Sequence, residues 1–382
     1  MTKVRPLPAP SKPASARALG TSRERADFGP ALLDWGRRHG RANLPWQVAD
    51  PYAVWVSEIM LQQTQVETVK SYFERFMNQF PTVRALAAAS EEAVLSAWAG
   101  LGYYRRAKFM HKAAILVVAE HGGELPRAAA DLAGLPGIGR STAAAIASLC
   151  HGERAAIMDG NVARVLARRW AMKEDAGTAA GRNRLWLTAQ AAVDAKDPGL
   201  YTQSVMDLGA TVCLPRSPRC AECPFETVCK ARARGEPTRY PIKARNETPR
   251  RSSDEVWRLW TDGVRVGMRK NTDGTGVWQS MAVFGFDDKA LMAACGASMG
   301  SWSFEHAFSH YDLRAQVELV AVSSDDLDLQ ADRAEWLAVS PRDAQKLPLP
   351  TPIKACLAQI VIILKERGAA MRGARRKKGA SK

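Results

Sequence analysis

The segment Leu135-Pro136-Gly137-Ile138-Gly139-Arg140-Ser141-Thr142 leads through an alanine-rich apolar run to Met158-Asp159-Gly160-Asn161-Val162 and on to Arg169. Two glycines flank one apolar residue, and a helical pattern follows at once. Glycine has no Cβ and tolerates positive φ, so such a turn lets the backbone approach a partner closely. The first N–H groups of the next helix have no intrahelical partner and carry the positive end of its dipole. Together they form a phosphate grip, so Gly137, Gly139 and Arg140 are expected to hold a nucleic-acid backbone. Asp159 also precedes a helix, where the simplest reading is an N-cap.

Upstream of this stretch the pattern is helical. Asp50-Pro51-Tyr52 is a helix entrance, with an acid to cap and Pro in the first turn. The helix it opens reads Val54-Trp55-Val56-Ser57-Glu58-Ile59-Met60-Leu61-Gln62-Gln63-Thr64. Glu58 interrupts an apolar run. It is either a solvent-facing acid or a half-buried one whose pKa is raised by desolvation, as a general acid needs. Helices are expected over 66–80 and 83–98, the latter capped near Ser90. Gly100-Leu101-Gly102-Tyr103-Tyr104-Arg105-Arg106-Ala107-Lys108 then sets two aromatics beside three cations, a mixture suited to unstacked bases and phosphates. Further helices are expected to about Glu120, over Ser141–Cys150, over Val162–Trp170, and over 182–195 and 201–212. Little alternates with period two, so residues 26–235 read as all-α.

Four cysteines follow, Cys213, Cys220, Cys223 and Cys229, in a Pro-punctuated basic loop. Four thiolates so close together suit zinc or an iron–sulfur cluster. Residues 236–252 read as a linker. Beyond it, Val256-Trp257-Arg258-Leu259-Trp260, Val264–Met268 and Val317–Val322 alternate or are β-branched, and apolar residues recur at helical spacing over 351–367. Residues 253–366 are therefore expected to form a smaller α+β domain.

The chain has 382 residues, 46% of them hydrophobic, and a net charge of +15. Residues 1–25 carry six Lys/Arg and one acid, and residues 367–382 seven Lys/Arg and no acid, so the two ends supply +12 of that charge. Both ends are expected to be disordered basic tails that adhere to polyanions in a salt-dependent way. Specificity must come from motifs. No run approaches the ~18 apolar residues of a membrane span, so no membrane partner is expected. Clustered rather than evenly spread cysteines point to a reducing compartment: the cytoplasm of a bacterium, or the nucleus or an organelle of a eukaryote.

Taken together, these stretches resemble the helix-hairpin-helix DNA glycosylases, and among them the MutY-type adenine DNA glycosylases. The resemblance rests on Trp55–Thr64, Gly100–Tyr104, Leu135–Thr142, Asp159–Val162 and the four cysteines, all in order within residues 44–229. It implies two helical modules plus an iron–sulfur loop, followed by a smaller α+β domain similar to Nudix hydrolases. It implies a [4Fe–4S] cluster on Cys213, Cys220, Cys223 and Cys229. It implies a monomer acting on double-stranded DNA with adenine opposite 8-oxoguanine or guanine, in base-excision repair, with the base flipped out of the stack.

The chemistry implied is a two-carboxylate hydrolysis carried over to an N-glycosidic bond. Glu58 protonates adenine. Asp159, at a helix N-terminus, faces the sugar cation or forms a transient adduct. Asn161 orients sugar or water. Ser141 stands where the related glycosylase/lyases place a nucleophilic lysine; a hydroxyl forms no Schiff base, so base removal without strand cleavage is expected. Tyr103 and Gln63, with Leu61 and Thr64 beside them, are expected to wedge the stack, and Trp46 and Gln203 to line the base pocket. Phe308-Ser309-His310 matches the loop that reads 8-oxoguanine, while Gly276-Val277-Trp278 is only a fragment of a Nudix segment and no Nudix catalytic box is present. Two other readings compete. One is an endonuclease III-like lyase for oxidised pyrimidines, against which Ser141 and the extra domain argue. The other is a non-catalytic iron–sulfur DNA-binding protein, against which the two acids argue.

Overall fold

The computed structural model describes residues 17–194, 196–243, 251–270, 282–284, 297–308, 311–331, 336–345, 347 and 349–379. It divides into two compact units, residues 1–88 with 109–246, and residues 89–108 with 247–382. The helical region expected over 26–235 is thus interrupted, because 89–108 packs with the carboxy-terminal unit.

The first unit is helical. In chain order the helices are α1 (Ser22–Ala26), α2 (Phe28–His39), α3 (Pro51–Leu61), α4 (Val66–Gln79), α5 (Val83–Ala88), α6 (Glu91–Trp98), α7 (Arg105–Glu120), α8 (Ala129–Leu132), α9 (Arg140–His151), α10 (Gly160–Trp170), α11 (Ala179–Ala192), α12 (Pro198–Asp207) and α13 (Lys230–Ala233). Of these, α6 and the start of α7 belong to the second unit. The expected 83–98 helix is two, because Ser90 caps α6 by accepting from the Ala93 N–H. A single π turn, Leu208–Val212, continues α12.

Local chemistry explains the elements that matter for function. Asp50 caps α3 by accepting from the Tyr52 N–H, with Pro51 in the first turn. The helix is apolar nearly all round, so it is buried on most sides; Trp55, Val56 and Met60 are fully enclosed. Gly152, at φ 65°, ends α9 in the left-handed conformation. Asp159 caps α10, whose Val162, Val165 and Leu166 enter the same core as Leu32 of α2 and Val205 of α12.

The amino-terminal tail begins earlier than expected to be ordered. Residues 17–25 are not a free tail. Leu19 is buried, and its N–H donates to Thr188 Oγ1 at 2.7 Å. Thr21 and Glu24 form a capping box on α1, and Glu24 pairs with Lys230 at 2.7 Å. One buried leucine and a reciprocal cap suffice to fix a segment whose composition reads as disordered.

The second unit holds a mixed sheet: β1 (Arg251–Thr261), β2 (Val266–Lys270), β3 (Ala282–Phe284), β4 (Ser298–Ala307), β5 (Tyr311–Ala321) and β6 (Trp336–Val339). The order is β3-β2-β1-β5-β4, with β6 pairing β2. The pair β1–β5 is parallel, from Arg251↔Tyr311 to Thr261↔Ala321, while β4–β5 is an antiparallel hairpin. Helices α14 (Ser324–Ala331), α15 (Pro341–Ala344) and α16 (Thr351–Gly379) complete it. Ile353, Cys356, Leu357 and Ile360 of α16 share a core with Trp257, Met268 and Val317 of the sheet. The carboxy-terminal end also departs from the expected tail, because α16 continues through 367 to Gly379. The linker is shorter than expected, with β1 starting at Arg251.

Candidate active site

In the first unit, α3, α9, α10 and α12 surround a cavity of about 850 Å³. It gathers residues far apart in sequence. Glu58 reaches it from α3, with Leu61, Gln63 and Thr64 at the end of that helix. Ser141 comes from α9, Asp159 and Asn161 from the start of α10, and Gln203 from α12; Trp46 belongs to the loop before α3.

Glu58 is half-buried, and its neighbours on α3 are enclosed. Burial, and then the negative charge of Asp159, push its carboxyl up to about 7. An acid so placed holds its proton near neutral pH and can deliver it. Asp159 is exposed to the cavity. Its Oδ1 accepts from the Val162 N–H at 2.7 Å. The cap and the chemical group are thus one residue, and Oδ2 has no hydrogen bond among the described residues.

Asn161 has its amide orientation fixed. Oδ1 accepts from Arg164 Nη2 at 2.8 Å, so Nδ2 is the end available to the cavity as a donor. Its Cβ lies against the π turn, where a Cβ at position 209 would sit 2.7 Å from it, so Gly209 permits the approach. Ser141 Oγ accepts from the Met158 N–H at 2.9 Å. The hydroxyl therefore ties the first turn of α9 to the residue that precedes Asp159.

The hairpin turn is only half as special as its two glycines suggest. Gly137 has φ +78°, and a Cβ there would fall 2.6 Å from Phe109 Cβ, so glycine is required. Gly139 has ordinary φ, caps α9 without a side-chain bond and faces open space. It leaves the helix N-terminus bare. Arg140 is exposed, and its guanidinium lies 4.0 Å from the Trp186 ring centroid.

Gln63 adopts φ 58°, the left-handed region, where α3 ends. Trp46 is buried edge-on to Phe73. In the second unit, Gly100, Gly102 and Tyr103 all have positive φ. Tyr103 is 47% exposed, whereas Tyr104 is buried and donates to the Leu349 carbonyl at 2.8 Å. Arg106, one of the three cations expected to suit phosphates, folds back on its own turn. It donates to the Gly102 carbonyl at 3.2 Å and lies over Trp98 and Tyr103, and burial lowers its pKa to about 10. Phe308 closes the β4–β5 hairpin through its N–H to the Tyr311 carbonyl and stacks on that ring. Ser309, His310 and Gly276-Val277-Trp278 lie outside the described residues.

The cysteine loop is bolted to α10 by arginines. Arg164 donates to the carbonyls of Cys213 and Gly209, both at 2.7 Å. Arg168 reaches the carbonyls of Leu214, Pro215 and Tyr240, and its Nη1 lies 3.4 Å from Cys213 Sγ. Arg169 donates to the Val228 carbonyl at 2.8 Å. All three are buried. Burial, and then the crowding of Cys213, Cys229 and Cys220, push Cys223 up to about 12, against a backbone hydrogen bond at Phe225. Thiols that oppose one another's ionisation need a cationic group to hold them as thiolates. Among the described residues no three His, Cys, Asp or Glu side chains converge on one ion. Four thiols that sense one another's charge are a donor set of the chemistry that an iron–sulfur cluster takes.

Sequence reading missed three members of this architecture: Arg41, Asp207 and Arg164. The i, i+4 spacing of Gln203 and Asp207 was the available signal, since it sets both on one helix face. Arg41 carried no signal, because its partner Asp207 is remote in sequence; Arg164 stands one turn from Asn161, but its loop partners, the Cys213 and Gly209 carbonyls, are remote.

Residues 56–189 match the family described as HhH-GPD superfamily base excision DNA repair protein. That span includes Glu58, Ser141, Asp159 and Asn161. The chain is 47% identical over 219 residues to the human adenine DNA glycosylase, covering 55% of this chain and 40% of that relative's length. It is 30% identical over 348 residues to the adenine DNA glycosylase of Buchnera aphidicola subsp. Acyrthosiphon pisum, covering 86% of this chain and 96% of the relative. Among solved structures, a thermostable thymine-DNA glycosylase superposes with a TM-score of 0.49 at 26% identity, over 56% of this chain and 98% of its own. Similarity to a full-length relative across both units establishes that the chain belongs to the adenine DNA glycosylase family of helix-hairpin-helix base-excision repair proteins.

Proposed function

We propose that the chain hydrolyses the N-glycosidic bond of adenine opposite 8-oxoguanine or guanine in double-stranded DNA, without cutting the strand. The observation that carries this reading is the pair of unlike carboxyl groups on one cavity. Glu58 is half-buried and lifted to about 7, while Asp159 is open and held at a helix N-terminus.

In this mechanism the flipped adenine enters the cavity. Glu58 donates its proton to the ring, making it a competent leaving group. Positive charge then develops on the sugar, and Asp159 Oδ2 stabilises it or bonds to it transiently. Asn161 Nδ2 donates a hydrogen bond to a sugar oxygen or to the attacking water. Glu58, now a carboxylate, activates that water. Ser141 holds the Met158 backbone and supplies no amine, so the sugar is not opened and the strand stays whole. Gly137, Gly139 and Arg140 hold the phosphate backbone without reading sequence. Trp46 and Gln203 line the base pocket. Tyr103, Gln63, Leu61 and Thr64 fill the stack that the base has left. The sheet domain, similar to Nudix hydrolases, reads the lesion through Phe308, Ser309 and His310.

Cys213, Cys220, Cys223 and Cys229 would hold a [4Fe–4S] cluster. When bound, the cluster supplies iron–thiolate bonds that tie the loop into one piece, and Arg164, Arg168 and Arg169 fix that piece to α10.

The test is a duplex with adenine opposite 8-oxoguanine, its products split with and without hot alkali. Nicks that need alkali support the reading. Nicks without alkali mean a lyase, and no product in either arm removes both enzyme readings.

A further inference from the structure

Asp207 lies behind the cavity wall with its side chain fully enclosed, and the mechanism above gives it no task. A buried carboxylate persists only where donors surround it. Here Arg41 and Gln203 supply them. Arg41 Nε and Nη2 reach Oδ1, both at 2.7 Å, and the Arg41 backbone N–H reaches Oδ2 at 2.8 Å. Gln203 Nε2 donates to Oδ1 at 2.9 Å. Both Arg41 and Gln203 line the cavity.

We propose that Asp207 is a positioning residue that sets the base preference of the pocket by locking the Gln203 amide with its oxygen toward the cavity. The inference rests on the adenine reading above. A carboxylate only accepts, so Gln203 must turn its NH2 toward Asp207. A flipped amide would set two acceptors against each other in a buried place. The cavity therefore meets Oε1, which has no hydrogen bond among the described residues. Arg41, held at the same carboxylate, keeps guanidinium N–H groups beside it. One fixed acceptor next to fixed donors suits a purine edge with an amino group beside a ring nitrogen. A 6-oxo purine sets its carbonyl against Oε1 and is refused. An amide free to rotate would serve both edges, which is why a residue outside the pocket decides the preference.

The experiment compares kcat/KM for adenine and hypoxanthine, each opposite 8-oxoguanine, in the full chain. The ratio of two substrates on one preparation does not depend on the folded fraction. The unaltered chain should prefer adenine by roughly 100-fold or more. Asp207→Ala, which removes the acceptor that fixes the Gln203 amide, should lower that preference by about tenfold or more. In a Gln203→Leu background, Asp207→Ala should change the preference no further. An unchanged preference in Asp207→Ala, or a further fall in the Gln203→Leu background, overturns the proposal. Should Asp207→Ala fail to fold, Gln203→Leu alone decides: loss of the preference supports the locked amide and retention overturns it. An unaltered chain that releases no adenine defeats the adenine reading itself, a separate outcome.

Discussion

Replacing Glu58 by Gln should stabilise the chain in alkaline solution and leave it unchanged in acid. Burial, and then Asp159, hold the Glu58 carboxyl at about 7 instead of the ordinary 4.5. At about 1.4 kcal/mol per tenfold, that displacement corresponds to about 3 kcal/mol. Glu58 keeps part of its surface open to the cavity, so screening brings the expected figure to about 2–3 kcal/mol. The sign follows from proton counting. Below about pH 4.5 both folded and unfolded chains hold the proton, and the residue is neutral in the balance. Between about 4.5 and 7 the folded chain keeps a proton that the unfolded chain has lost, so stability falls as pH rises. Above about 7 the loss is complete. Gln does not titrate and escapes it. Thermal melts of the two proteins at a series of pH values isolate the difference, because every other group is shared. At roughly 2–4 °C per kcal/mol, the variant should melt roughly 5–10 °C higher at about pH 8.5 and at the same temperature below about pH 4.5. It should release no adenine at any pH. A melting difference that is flat with pH, or that grows in acid, would refute the enclosed-acid reasoning.

Asp159→Asn removes the second cause of the Glu58 displacement, so the same stability window should move to lower pH; an unmoved window in melts of that variant would show that the two acids do not sense each other. Gly137→Ala forces a Cβ to 2.6 Å from Phe109 at φ +78°, and should cost about 1–3 kcal/mol in urea unfolding and weaken binding to an undamaged duplex. Ser141→Ala leaves the Met158 N–H without its acceptor; turnover should fall roughly 5–30-fold, for about 1–2 kcal/mol, with duplex affinity retained in a filter-binding assay. Arg168→Leu strips the donor from the Leu214 and Pro215 carbonyls of the loop and from that of Tyr240 beyond it, and the purified protein should carry less iron and sulfide per chain; full iron content would show that the arginine does not brace the cluster loop.

How much was legible in advance depended on where the information lay. Helix existence was local. Asp50-Pro51, Ser90 and Asp159 announce helix starts because a side-chain oxygen or a proline ring acts within a few residues, and α3, α6 and α10 begin there. The break in texture after residue 250 was also local, since strands alternate with period two. Ordering of the ends was not legible. Leu19 is held by Thr188, which lies 169 residues away, and composition alone reads that segment as a tail. Nor did sequence show that 89–108 packs with the second unit, because the bond from Tyr104 to Leu349 spans 245 residues.

The candidate site divides the same way. Sequence by itself determined which chemical groups are available: two carboxyl groups, a serine in place of an amine, four thiols, and a glycine turn able to take positive φ. It did so because residue type and short-range geometry fix those capacities. Tertiary structure alone decided how the groups behave. Glu58 becomes an acid near neutral pH only because α3 is enclosed and Asp159 is brought to the same cavity. Asn161 and Gln203 become a donor and an acceptor because Arg164 and Asp207, one helical turn away, each take the other end of the amide, and those two are held in place by the remote Gly209 and Arg41. Protonation and amide orientation are set by partners that folding supplies, and no residue carries them in its own name.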